Sequence, residues 1–151
     1  LTLGEILLLW ANHDTLLAQY EQTISSCKQA LKDLYITIGS AKIQEAPATS
    51  GKIPTLDGAA AHIIEEKDKY REILTVTSDQ LYTTLFFSQL VSRALSPARP
   101  FERDLLSMRL KTKDSWKTIA AAFDVSPRSA QRICKKLRDM AAAELKSQDL
   151  I

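Results

Sequence analysis

Ser115-Trp116-Lys117-Thr118-Ile119-Ala120-Ala121-Ala122-Phe123-Asp124-Val125-Ser126-Pro127-Arg128-Ser129-Ala130-Gln131-Arg132-Ile133-Cys134 decides the fold. Ser115 or Asp114 caps a helix over Trp116–Phe123, and Asp124-Val125 make a tight turn. Ser126 at the cap and Pro127 at the first helical position then open a new helix, because the serine oxygen takes a free amide and proline lacks the one it would leave unpaired. That helix is expected to run to about Leu145, with Ala130, Ile133, Leu137 and Met140 facing inward. Ile119, Ala120, Phe123, Val125, Ala130 and Ile133 stand where two helices around a short turn need apolar contacts, and Ala120 is small where they must approach. Asp124 falls where the turn needs a left-handed residue, which Gly suits best and Asp or Asn tolerates. This is the spacing of a helix-turn-helix.

The outward residues of the same stretch are cationic. Arg128, Arg132, Lys135, Lys136 and Arg138 follow Ser126 with no acid until Asp139. The second helix of such a unit enters the major groove of double-stranded DNA with its first turns at the base edges. Arg128, Ser129 and Arg132 are therefore expected at bases, since arginine forks onto guanine. Gln131, Lys135 and Lys136 are expected at the backbone, joined by Lys113, Ser115, Lys117 and Thr118 around the start of the preceding helix, where free amides and the helix dipole favour a phosphate.

Just upstream, Phe101–Leu110 reads as a short amphipathic helix with Leu105, Leu106 and Leu110 inward, broken by Thr112-Lys113-Asp114. Arg103-Asp104-Leu105-Leu106-Ser107-Met108-Arg109-Leu110, Ser115-Trp116-Lys117-Thr118-Ile119-Ala120 and Val125-Ser126-Pro127-Arg128-Ser129 together resemble the sigma region 4-like end of phage regulators. These are the ArpU and RinA type of late-gene transcriptional regulators, from phages and prophages of Gram-positive bacteria. The resemblance is at motif level over about Arg103–Leu137. It implies a helical N-terminal half ahead of the helix-turn-helix, and control of late transcription. Family members often have Tyr before the cap Ser and a β-branched residue inside the recognition helix. Here those positions are Val125 and Ala130, so base preference does not transfer.

The N-terminal half carries a seam. Leu3, Ile6, Trp10, His13, Leu17, Tyr20, Ile24, Cys27, Leu31, Leu34 and Ile38 alternate steps of three and four, the a and d positions of a heptad. At about 1.5 Å per residue such a helix reaches roughly 55 Å. Asn12-His13-Asp14-Thr15 form helix poorly, and Asp14 can cap a restart there. Gly39-Ser40 weakens the helix, and Ala46–Pro54 reads as an exposed connector. Asp57 is expected to cap a second helical stretch with Ile63, Ile64, Tyr70, Leu74, Leu81, Leu85, Leu90 and Leu95 inward. Thr75-Val76-Thr77-Ser78 interrupts it, and Thr77 with Gln80 fits a capping box that starts a fresh helix. Two long helices around a connector fold back most simply as an antiparallel hairpin.

Composition sets the frame. The 151 residues are 45% hydrophobic and 25% charged, as in a globular protein. Four Gly and five Pro are too few for a turn-rich β sandwich. The expected fold is all-α: a long coiled-coil-like hairpin over 1–96, for oligomerisation or partner binding, then the sigma region 4-like DNA-binding unit over 97–151. The line falls at Ser96-Pro97-Ala98-Arg99-Pro100, where two prolines forbid continuous helix. Charge switches there too: residues 1–98 hold 8 basic and 11 acidic residues, and 99–151 hold 12 and 7.

Two cysteines cannot build a disulfide framework or zinc cluster, so both are expected reduced and buried, in the cytoplasm of a bacterial host. No stretch is apolar enough to span a membrane and no basic leader opens the chain, so neither membrane insertion nor export is expected. His13 and His62 lack a second ligand at helical spacing, so no metal is expected. Trp116 reads as core, and Glu65, Glu66, Lys67, Asp68, Lys69 and Arg71 as an ordinary charged face. With no phosphate loop, nucleophile elbow or paired-carboxylate constellation, neither an enzyme nor a cofactor is expected.

The function expected is sequence-specific transcription regulation. One such unit reads few base pairs, so the hairpin's task is either a homodimer or higher assembly that spaces two half-sites, or docking on host RNA polymerase. The alternative readings are a phage packaging or assembly adaptor, like a small terminase subunit, and an RNA polymerase-binding helical interaction protein. An alternative sigma-like factor is disfavoured, because the aromatic and basic melting motif of region 2 is missing.

Overall fold

The computed structural model describes the backbone of residues 1–44 and 54–151, and the side chains of 1–36 and 60–151. The elements are α1 (Leu3–Ala11), α2 (His13–Gln44), α3 (Pro54–Ala94), α4 (Pro100–Lys111), α5 (Trp116–Ala122) and α6 (Pro127–Ser147). No strand occurs among the described residues, so the chain is all-α there. None of these helices is long and apolar enough to cross a membrane. The chain divides into two compact units, one of 1–17 with 82–151, the other of 18–81.

In the larger unit a single apolar core joins Ile6 and Leu7 of α1, Leu90 and Val91 of α3 and Leu95 beyond it, Leu105 and Leu106 of α4, Ile119 and Ala120 of α5, and Ala130, Cys134, Leu137, Ala141 and Leu145 of α6. The core thus crosses the line at Ser96-Pro97. Prolines and a charge switch report local backbone and surface, whereas a core is set by which faces find each other. α1 begins with a reciprocal cap: Thr2 Oγ1 accepts from the Glu5 amide at 3.2 Å, and the Thr2 amide donates to Glu5 Oε2 at 2.7 Å. The Thr2 amide, and after it the Thr2 hydroxyl, hold the Glu5 carboxyl below its usual pKa. α1 closes at Asn12, whose side-chain amide donates to the Leu8 carbonyl.

α2 restarts at once, at His13, so Asp14 lies in its first turn rather than capping it; Asp14 Oδ1 is 3.1 Å from His13 Nδ1. Every seam position from Leu3 to Leu34 is buried or half-buried, as a heptad stripe demands. The side chain of Ile38 and the connector up to Ile53 lie outside the described residues. α3 opens at Pro54, three residues before the cap expected at Asp57, consistent with the fixed φ of proline at a first helical position.

α3 then runs unbroken to Ala94, so no fresh helix starts at Thr77. Its inward stripe also differs from expectation. Ile63, Lys67, Tyr70, Leu74, Thr77, Leu81, Thr84, Ser88, Val91 and Leu95 are buried or half-buried in alternating steps of four and three, whereas Ile64 is 59% exposed. Three hydroxyl residues thus occupy seam positions. Ser88 shows how such a group is satisfied, its Oγ donating to the Leu9 carbonyl of α1 at 3.4 Å. Both cysteines, Cys27 and Cys134, are buried and free of disulfides.

The turn between α5 and α6 is fully specified by its hydrogen bonds. Ser115 Oγ accepts from the Thr118 amide at 3.3 Å and Ser126 Oγ from the Ser129 amide at 3.1 Å, so serine caps both helices. At the end of α5 the Asp124 amide donates to Ala121 O at 3.3 Å and the Val125 amide to Ala120 O at 3.0 Å, a Schellman closure. Asp124 is left-handed there, with φ of 53°. Replacing Asp124 tests this turn: Gly is expected to keep unfolding free energy within about 1 kcal/mol of the parent, and Val to lower it by about 1–2 kcal/mol, measured by urea unfolding.

Candidate functional site

α6 has one buried and one exposed side. Successive side chains turn by about 100°, which stacks Ala130, Cys134, Leu137, Ala141 and Leu145 as the buried stripe. The same rotation puts Arg128, Arg132 and Lys135 together on the opposite side. All three are exposed, and none has a hydrogen-bond or ion-pair partner among the described residues. Gln131 and Arg138 flank this face on one side, Ser129 and Lys136 on the other.

Each expected contact residue can be placed. Ser129 is half-buried, and its Oγ accepts from Ser126 Oγ at 2.9 Å, which leaves its own proton available to an incoming acceptor. Lys113, Ser115, Lys117, Thr118 and Gln131 are exposed. The Ser115 and Thr118 hydroxyls lie 3.0 Å apart, and Ser115 also caps α5, so their capacity is partly spent within the turn. Lys136 differs from the other cations: its Nζ sits 3.7 Å from Glu102 Oε2. Glu102 also accepts from the Arg99 amide through Oε1 at 3.3 Å, so one carboxylate holds the start of α4 and faces α6. The arrangement gathers exposed cations and hydrogen-bond donors on one side of α6 and around the start of α5.

Arg109 carries a role that sequence reading missed. Its guanidinium lies over the Trp116 ring, Cζ 4.2 Å from the centroid, and its Nη1 donates to the Asp114 carbonyl at 2.8 Å. Trp116 is half-buried and packs against the core as expected, but its face is a platform for a cation. The contact spans the break between α4 and α5, so no period of either helix signals it.

The chain matches no protein-family model, no curated protein and no solved structure.

The Glu102–Lys136 pair gives a direct check on where Glu102 acts. Because Lys136 is largely exposed, Lys136→Ala is expected to change stability by less than about 0.5 kcal/mol. Glu102→Ala, which also strips the α4 start of its acceptor, is expected to cost about 1 kcal/mol. Chemical denaturation of both variants reads the difference.

Proposed function

We propose that this chain is a sequence-specific DNA-binding transcription regulator of the phage or prophage late-gene kind that its Arg103–Leu137 motif resembles. In this reading α5, the Asp124 turn and α6 act as a helix-turn-helix, and the first turns of α6 enter the major groove. The observation that carries it is the accessible, partner-free face of Arg128, Arg132 and Lys135, directly opposite the buried stripe of α6. Arg128 and Arg132 fork onto base acceptors, and Ser129 donates its free proton beside them. Lys113, Ser115, Lys117, Thr118, Gln131 and Lys135 hold phosphates, and Lys136 joins them only by leaving Glu102.

The N-terminal helices form an antiparallel hairpin that joins two copies and so spaces two half-sites. Two contacts support the pairing, each inside its own unit: Leu9 with Ser88, and Tyr35 with Lys67, whose Nζ lies 5.1 Å from the ring centroid. Ile36, Ile64 and Val76 remain exposed, leaving apolar surface for a second copy. The action takes place on double-stranded DNA in the bacterial cytoplasm, with RNA polymerase the further partner.

Selecting bound duplexes from a random pool, then titrating the winner at several salt concentrations, tests the reading. Log affinity is expected to fall linearly with log salt, by about 0.9 per phosphate neutralised. Arg128→Ala is expected to cost about 1–3 kcal/mol and to relax preference at one position; Lys117→Ala weakens all sequences alike and lowers the slope by about 1. Affinity indifferent to salt, or unchanged by the joint loss of Arg128 and Lys135, rejects the assigned face.

A further inference from the structure

A cavity of about 440 Å³ lies between α1, α4, the start of α5 and the middle of α6. Three cations border it, Arg109, Lys135 and Arg138, against one carboxylate, Asp139. Gln131 adds an amide, and Leu3, Trp116 and Cys134 give it an apolar wall. Its charge is thus lopsided and its lining only partly wet.

One of the three cations is held in place, and the other two are uncommitted. Arg109 is fixed by the Trp116 ring and by one bond to the Asp114 carbonyl, which uses one of five guanidinium N–H donors. Lys135 and Arg138 have no hydrogen-bond or ion-pair partner among the described residues. Burial raises the Cys134 thiol pKa, while Arg138 and Arg109, which line the same cavity, both act to lower it. Two guanidiniums, an ammonium and an amide around a concavity make a donor set for an oxyanion that accepts several bonds at once, and a guanidinium already immobilised loses little freedom on binding.

We propose that this cavity is a phosphate-binding site, with Arg109 and Arg138 as its paired guanidiniums. The phosphate is either a DNA backbone group or a free phosphoanion such as pyrophosphate. The first source rests on the proposed function; the second stands without it.

Tryptophan emission reads the site directly, because the chain has two tryptophans and Trp10→Phe leaves Trp116 alone. In that background, inorganic pyrophosphate and a selected DNA duplex are titrated separately, with Arg138→Gln and Lys135→Gln as variants and circular dichroism to confirm their fold. A saturable pyrophosphate response weakened about tenfold or more by Arg138→Gln supports the site with a free phosphoanion as its source. A response to DNA alone, with Arg138→Gln lowering affinity for all sequences equally, supports it with the backbone as source. A pyrophosphate response in a chain that binds no DNA also supports it, while removing the regulator reading. The proposal is overturned if pyrophosphate leaves Trp116 emission unchanged and Arg138→Gln leaves DNA binding unaltered.

Discussion

Asp124 carries the constraint on which the candidate site depends. With its φ at 53°, the chain leaves α5 through two bonds onto Ala120 and Ala121 and reaches Ser126 ready to cap α6. A side chain in this conformation is sterically costly, and aspartate bears it better than most. The small Ala120 and Ala130 are both fully buried here, as close helix approach requires. Once this corner is set, rotation along α6 decides everything that follows: which residues go to the core and which cations go to solvent. The orientation of Arg128 and Arg132 is therefore a consequence of backbone geometry at a residue outside α6.

Much of this corner is legible in the sequence because its signals are local. A serine before a proline, an aspartate at a turn and a stripe of small and aliphatic residues each act within one or two helical turns. The seam of α2 is legible for the same reason. α3 is not, because Thr77, Thr84 and Ser88 read as interruptions when apolar residues alone are counted. They are buried seam members, and the Ser88 hydroxyl is satisfied by a neighbouring backbone, donating to the Leu9 carbonyl. That acceptor lies on another helix, out of reach of any local pattern.

The candidate site divides along the same line. The exposed cations of α6 follow from its period. The engagement of Lys136 with Glu102 and of Arg109 with Trp116 does not, since each requires knowing where α4 lies against α5 and α6. Sequence reading therefore treats Lys135 and Lys136 as equivalents, whereas the fold gives only one of them a carboxylate. It likewise assigns Trp116 to the core without finding the guanidinium above it. Local chemistry names the participants, and tertiary packing sorts them.

The cationic side of α6 also bears on the protein alone. Arg128 and Arg132 are four apart, and Arg132 and Lys135 three apart, spacings at which like charges push against each other through a single helix wall. The free fold thus holds a strained electrostatic surface, kept in place by the apolar stripe beneath it. Added salt relaxes that strain by screening. The same ions compete with any polyanion for the same side chains. Ionic strength therefore acts with opposite sign on the solitary chain and on the polyanion binding proposed for it, steadying the first while loosening the second.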